Sequence, residues 1–145
     1  MEVENSKETQ RLLQEILELE LAGVIRFTHY ALMVRGPNRI PIVAFFQGQA
    51  TESLTHAQRA GEILTGLGGH PSMGIASIQE SHQHSVQAIL DESYVHEKRA
   101  IETYRKLLSV AEGESVFLEE YARSMVATEE EHLMELRKML RDLEP

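Results

Sequence analysis

Four stretches of this chain place apolar residues at helical spacing, each roughly 28 residues long, and no stretch alternates as a strand would. At 1.5 Å per residue each makes a rod about 42 Å long. Rods of one length that each carry a single apolar stripe bury it by lying side by side. The first predicted helix runs from about Ser6 to Val34, with Ser6 as N-cap and Glu8 in the first turn, and Gly36-Pro37-Asn38 stops it. The second runs from about Arg39 to Leu67. Pro41 suits its first turn, and Gly66, Gly68, Gly69 and Pro71 end it. A crossover without a strong apolar pattern follows, roughly Gly68 to Ser81. The third helix is predicted from about His82 to Ala111. Gly113 then breaks the chain and Ser115 caps a fourth helix reaching about Leu143. Two short links imply antiparallel hairpins, and the long one lets the second and third helices run parallel. The expected fold is all-α: residues 1–145 as one four-helix bundle domain with a single long crossover.

A bundle seam advances alternately by three and four residues. Followed along each helix, it meets an ionisable group near mid-length every time. The first seam reads Leu13, Leu17, Glu20, Val24, Phe27; the second Phe46, Gln49, Ser53, His56, Ala60. The third reads Leu90, Tyr94, Glu97, Ile101, Tyr104; the fourth Ala122, Met125, Glu129, His132, Leu136. One such Glu is more often a misread register, and one such His a satisfied core histidine. Glu129 and His132, three apart, share a face and could share a metal. The coincidence across four helices decides for a metal. Antiparallel order sets Glu20 opposite His56, and Glu97 opposite Glu129 and His132. Buried carboxylates that converge repel one another and are driven to take up protons. A pair of divalent cations removes that repulsion, with imidazoles as neutral ligands.

Composition closes off other chemistries. The chain has no Cys, which excludes disulfides, thiolate zinc sites, rubredoxin-type centres and cysteine nucleophiles. The net charge of −9 argues against a nucleic-acid partner. The longest apolar run, Ile40 to Phe46, is too short for a membrane span. The N-terminal MEVENSKETQ is polar and acidic, unlike a signal peptide, so the expected location is cytoplasmic. His70, His82, His84 and His96 read as solvated histidines around the crossover, with a surface metal site as the alternative.

At these residues the sequence resembles the bacterioferritins within the ferritin-like superfamily. That family places Glu on its first helix, Glu-x-x-His on its second, Glu on its third and Glu-x-x-His on its fourth. Here Glu20 stands in LELELAGVIRFTHYA, His56 in ESLTHAQRAGEIL, Glu97 in YVHEKRAIETYRKLL, and Glu129 and His132 in TEEEHLMELRKML. The LGGHP from Leu67 to Pro71 resembles the end of the family's second helix. The resemblance covers nearly the whole chain. It implies a di-iron ferroxidase, with iron held by Glu20, His56, Glu97, Glu129 and His132; Glu52 is the expected sixth ligand in place of the family's second-helix Glu, with a surface carboxylate as the alternative. Of these, Glu20, Glu97, Glu129 and His132 are expected to carry the reaction. Glu20 and Glu97 would be terminal ligands, Glu129 or Glu52 bridging, and each histidine would hold one iron.

Four departures qualify that picture. The family's second-helix Glu falls on Ser53. Glu52, one residue earlier, lies about 40° around the helix from His56, and Ser53 about 60° on the other side, so Glu52 and His56 can still chelate together. The family's haem-binding Met aligns with Leu54, so haem is not expected. The tyrosine near the family's iron site aligns with Phe27, leaving Tyr30, Tyr94 and Tyr104 as core or redox neighbours. The chain given stops at Pro145, without the family's short fifth helix, so a dimer or another cage geometry is expected before a mineral-storing shell. The expected reactants are Fe(II) with oxygen or peroxide, serving iron storage or detoxification. The alternatives are another di-metal oxidase or peroxidase on the same scaffold, or a metal-poor bundle whose site Ser53 leaves incomplete. A DNA-protecting starvation-type ferritin fits less well: those share iron between subunits, whereas this ligand set lies within one chain.

Overall fold

The computed structural model describes residues 6–141. It contains α1 (Ser6–Met33), α2 (Arg39–Gly66), α3 (Val86–Ala111) and α4 (Val116–Arg141). Among the described residues there is no strand and no helix long and apolar enough to cross a membrane. The Ser6 side chain, expected to cap α1, and Leu143, expected at the end of α4, lie outside the described residues.

Short turns make α1–α2 and α3–α4 close pairs, and α1 also packs on α3. The first turn is locked by its own sequence. Gly36 takes φ 110°, a conformation that costs glycine nothing. Arg39 then reaches back, its Nη1 donating to the carbonyls of Ala31 (3.1 Å) and Val34 (2.7 Å). One guanidinium thus satisfies two of the carbonyls that a helix end leaves open.

Hydrogen bonds to α1 set the direction of the crossover. Gln10 Nε2 donates to Leu67 O (3.0 Å), Ser72 N to Gln14 Oε1 (2.9 Å) and Ala76 N to Glu18 O (3.0 Å). Arg35 N then donates to His84 O (3.1 Å), and His84 Nδ1 lies 2.9 Å from Met33 O. The crossover therefore travels along α1 in its own direction and delivers α3 at the far end. From there α3 runs antiparallel to α1 and parallel to α2.

The third helix begins at Val86, four residues later than the sequence pattern predicts. His82 to Ser85 are held outside it because His84 is tied to α1 and Ser85 caps the helix, accepting from Ala88 N at 3.1 Å. Ser115 caps α4 as expected, accepting from Leu118 N at 3.2 Å.

The core divides into two apolar clusters along the bundle axis. One is built on Leu12, Leu13, Ile16, Leu64, Leu107 and Leu118, the other on Phe27, Tyr30, Phe46, Ile89 and Leu136. Phe27 stacks on Phe46 at 6.0 Å, and Tyr30 meets Phe46 edge-on at 5.5 Å. Each fully buried aromatic contributes on the order of 3 kcal/mol to the fold. Between the clusters, at mid-height, lies a polar layer.

Candidate metal centre

All six residues singled out as ligands meet in that layer. Glu20 sits on α1 between Leu17 and Phe27 of the two clusters, so its carboxylate has nowhere to go but inward; it is 4% exposed. Glu97 on α3 and Glu129 on α4 are buried likewise. The carboxylate of Glu129 is central. Its Oε1 lies 3.2 Å from His56 Nδ1, which is 3.4 Å from Glu20. Its Oε2 lies 3.2 Å from His132 Nδ1, which is 3.8 Å from Glu97. Two ligand triads result, Glu20–His56–Glu129 and Glu97–Glu129–His132, whose donor atoms all lie within 4.8 Å of one another in each. Glu129 belongs to both. The two imidazoles face each other nearly parallel, 17° apart with centroids at 6.5 Å.

Glu52 reaches this layer from α2. Its Oε1 stands 3.1 Å from His132 Nε2 and 3.7 Å from His56 Nε2, touching both halves from the side opposite Glu129. Ser53, where a one-residue shift would put the carboxylate, is turned against α1. A Cβ on Gly23 would lie 2.8 Å from Ser53 Oγ, so α1 and α2 approach closely at that point.

Burial and mutual contact shift the buried titratable groups of the layer in opposite directions. Burial raises Glu20, and burial together with the hydrogen bond to Glu129 raises Glu97 well above the usual carboxylate range. Burial also works against ionised Glu129, but hydrogen bonds from Glu97, His132 and His56 win and hold it well below that range. Burial disfavours charged imidazoles as well, yet Glu129 and Glu20 lift His56 to about 10, and Glu129 and Glu97 lift His132 to about 11. Without a cation, then, the layer holds protons on both histidines. A metal ion would take the place of those protons. The donor set fits that role: four carboxylates, once ionised, match the charge of two divalent cations, and two imidazoles complete the ligation without adding charge.

Two features go beyond the sequence reading, the burial of His96 and the bond of Tyr104 to Glu20. His96, expected at the surface, is 7% exposed. It stands edge-on to Phe27 at 5.7 Å, with its Nε2 3.0 Å from where a Cβ on Gly23 would be. Burial and the nearby Arg26 depress it to about 4 and keep it neutral. The signal was present, since Ser93 and Ala100 place it in a stripe of small buried residues on α3. Tyr104, fully buried, donates to Glu20 Oε1 at 3.3 Å. Phe27 belongs to the aromatic cluster and is not one of the converging six.

A four-helix bundle with one long crossover and a mid-height layer of carboxylates and histidines defines the ferritin-like class. The family profile of the ferritin-like domain matches residues 10–145, and the chain belongs to that family. No curated protein sequence matches it. Among solved structures, a protein from Bacillus anthracis described as ferritin-like and diiron-carboxylate is 25% identical, with TM-score 0.86 over 96% of this chain and 99% of that one. The dodecameric thioferritin of Bacteroides fragilis, a bacterioferritin-related protein, is 22% identical, with TM-score 0.89 over 96% and 88%. BfrA of M. tuberculosis is 18% identical, with TM-score 0.83 over 92% and 83%.

Proposed function

We propose that this protein binds two Fe(II) ions in the mid-bundle layer and oxidises them to Fe(III), with oxygen or peroxide as the electron acceptor, in iron storage or detoxification. The observation that carries this reading is Glu129, whose two oxygens address two separate histidine–glutamate sets. Two irons give two electrons, which matches the reduction of dioxygen to peroxide or of peroxide to water. Iron is the substrate here. The chain's own part is to gather the ions, hold them on either side of Glu129 and keep solvent from the reacting face. Glu20 with His56 would hold one ion and Glu97 with His132 the other, with Glu52 spanning both. Tyr104 keeps Glu20 aimed inward through its hydrogen bond.

The reading of a metal-poor bundle drew on Ser53. The approach of Glu52 to both imidazoles supplies the fourth carboxylate and favours a complete site. The description of the B. anthracis relative as diiron-carboxylate, and of the B. fragilis relative as dodecameric, supports iron as the metal and a homo-oligomer as the assembled form. A cytoplasmic location belongs to the same proposal. The test is anaerobic titration with Fe(II), followed by a pulse of oxygen or peroxide while ferric absorbance is monitored. The reading expects about two irons bound per chain and rapid oxidation, both abolished by Glu129→Ala. Oxidation no faster than in protein-free buffer would overturn it.

A further inference from the structure

Five of the six converging side chains are well buried: Glu129 is 2% exposed, Glu20 and Glu97 5%, His56 13% and His132 17%. Glu52 stands apart at 39%. It caps the layer from the solvent side, in front of both imidazoles. The helix pairs α1–α2, α3–α4 and α1–α3 bring their backbones close together, whereas α2 and α4 meet through side chains, among them Glu52 with His132.

The sequence around Glu52 leaves that side chain free to move. A helical side chain leans toward the N-terminus and covers the turn before its own Cα. For Glu52 that turn presents Gly48, which is exposed, and a Cβ built there would meet nothing within 4 Å. The flanking threonines are engaged elsewhere. Thr51 Oγ1 donates to Gln47 O (3.1 Å) and Thr55 Oγ1 to Thr51 O (3.2 Å), so neither hydroxyl donates to the Glu52 carboxylate.

We propose that metal ions enter and leave the bundle through the α2–α4 seam, with Glu52 swinging from the two imidazoles onto the clear surface over Gly48 to open the port and carrying a cation inward on its return. This rests on the metal-binding reading above and deepens it: the bound ion is exchangeable cargo that Glu52 escorts, not a sealed cofactor. The position of the carboxylate at 52 is what makes this feasible, since Glu52 is 39% exposed whereas Ser53 is buried against α1 near Gly23. Exposed side chains change rotamer in picoseconds to nanoseconds, so the swing itself does not limit loading.

Gly48→Leu tests the port. The leucine fills the surface Glu52 needs, meets no neighbouring atom at its Cβ, and replaces glycine by a better helix former, so the fold is retained. Gly66→Leu, on the last turn of the same helix and equally open, is the matched control. Uptake of Co(II) is followed by stopped-flow visible absorbance, its release by chelator, and the amount bound at saturation by metal analysis; circular dichroism checks the fold. The port expects Gly48→Leu to load and release Co(II) slower by about tenfold or more, equivalent to an added barrier of about 1.4 kcal/mol. Saturation is expected to be unchanged, and Gly66→Leu to behave as wild type. Wild-type rates in Gly48→Leu would overturn the port while leaving the metal reading intact. Reduced saturation at an unchanged rate would overturn it too, by making Gly48 part of the site and not of the path. Failure of the wild-type protein to bind Co(II) at all would overturn both.

Discussion

Glu129 and Glu97 are both buried carboxylates of the same layer, yet their replacement by glutamine should have very different costs in the metal-free protein. Glu129 is held ionised between two imidazoles, each within 3.2 Å. Glutamine there leaves two charged, largely buried histidines without their shared counter-charge. Breaking a buried ion pair costs about 3–5 kcal/mol, and the lower figure applies because both imidazoles keep some contact with water. Glu97, by contrast, is pushed by burial and by Glu129 to hold its proton, and its nearest imidazole nitrogen is 3.8 Å away. Glutamine nearly reproduces a protonated glutamate, so that change should cost about 1 kcal/mol or less. For a chain of this length 1 kcal/mol moves the melting temperature by roughly 2–4 °C. In chelator at pH 7, Glu129→Gln should therefore melt roughly 6–12 °C below wild type and Glu97→Gln within about 4 °C of it. Equal losses, or a larger loss in Glu97→Gln, would refute the assignment of charge within the layer.

Three further outcomes follow from the same geometry. Glu20→Ala and Glu97→Ala each remove a ligand from one triad only, so metal analysis should find each variant holding about one ion where wild type holds about two, while Glu129→Ala holds neither. The metal-free protein should lose stability as pH rises. Histidines lifted to about 10 and 11 stabilise the fold fully below their unfolded value near 6.5 and cease to do so as pH climbs through the folded values, and the raised Glu20 and Glu97 act in the same direction from lower pH. Calorimetry from pH 6.5 to 10 should show a falling melting temperature; a rising one would contradict the proton inventory. Gly23→Ala should destabilise the fold by about 1–2 kcal/mol in urea titrations, because its methyl group would meet Ser53 Oγ at 2.8 Å and His96 Nε2 at 3.0 Å, outweighing alanine's helix preference. A stabilised variant would show that α1 and α2 can part there freely.

Periodicity made the helices legible, and interruptions of periodicity made the site legible. Glu20, Glu97, Glu129 and His132 each break an apolar stripe at one height, and a stripe tolerates such a break only where something repays burial of the charge. Position 52 was harder. Spacing put Glu52 and Ser53 on opposite sides of His56, and only the packed structure shows Glu52 reaching both imidazoles while Ser53 lies against α1. The start of α3 was illegible for a different reason: the bonds that hold His84 outside the helix come from Met33 and Arg35, some fifty residues earlier, and leave no local mark. His96 was partly legible: Ser93 and Ala100 mark its stripe on α3 as buried, but its neighbours Gly23 and Ser53 on the other helices show only in the packed structure.

The proposed centre requires two metal ions, one on either side of Glu129. Crystals of the protein soaked anaerobically with Fe(II), with diffraction recorded at the iron absorption edge, test this directly. Two anomalous peaks per chain are expected, about 3.5–4 Å apart, one beside Glu20 and His56 and the other beside Glu97 and His132, with the Glu129 carboxylate between them. A single peak, or peaks confined to surface carboxylates, would contradict it.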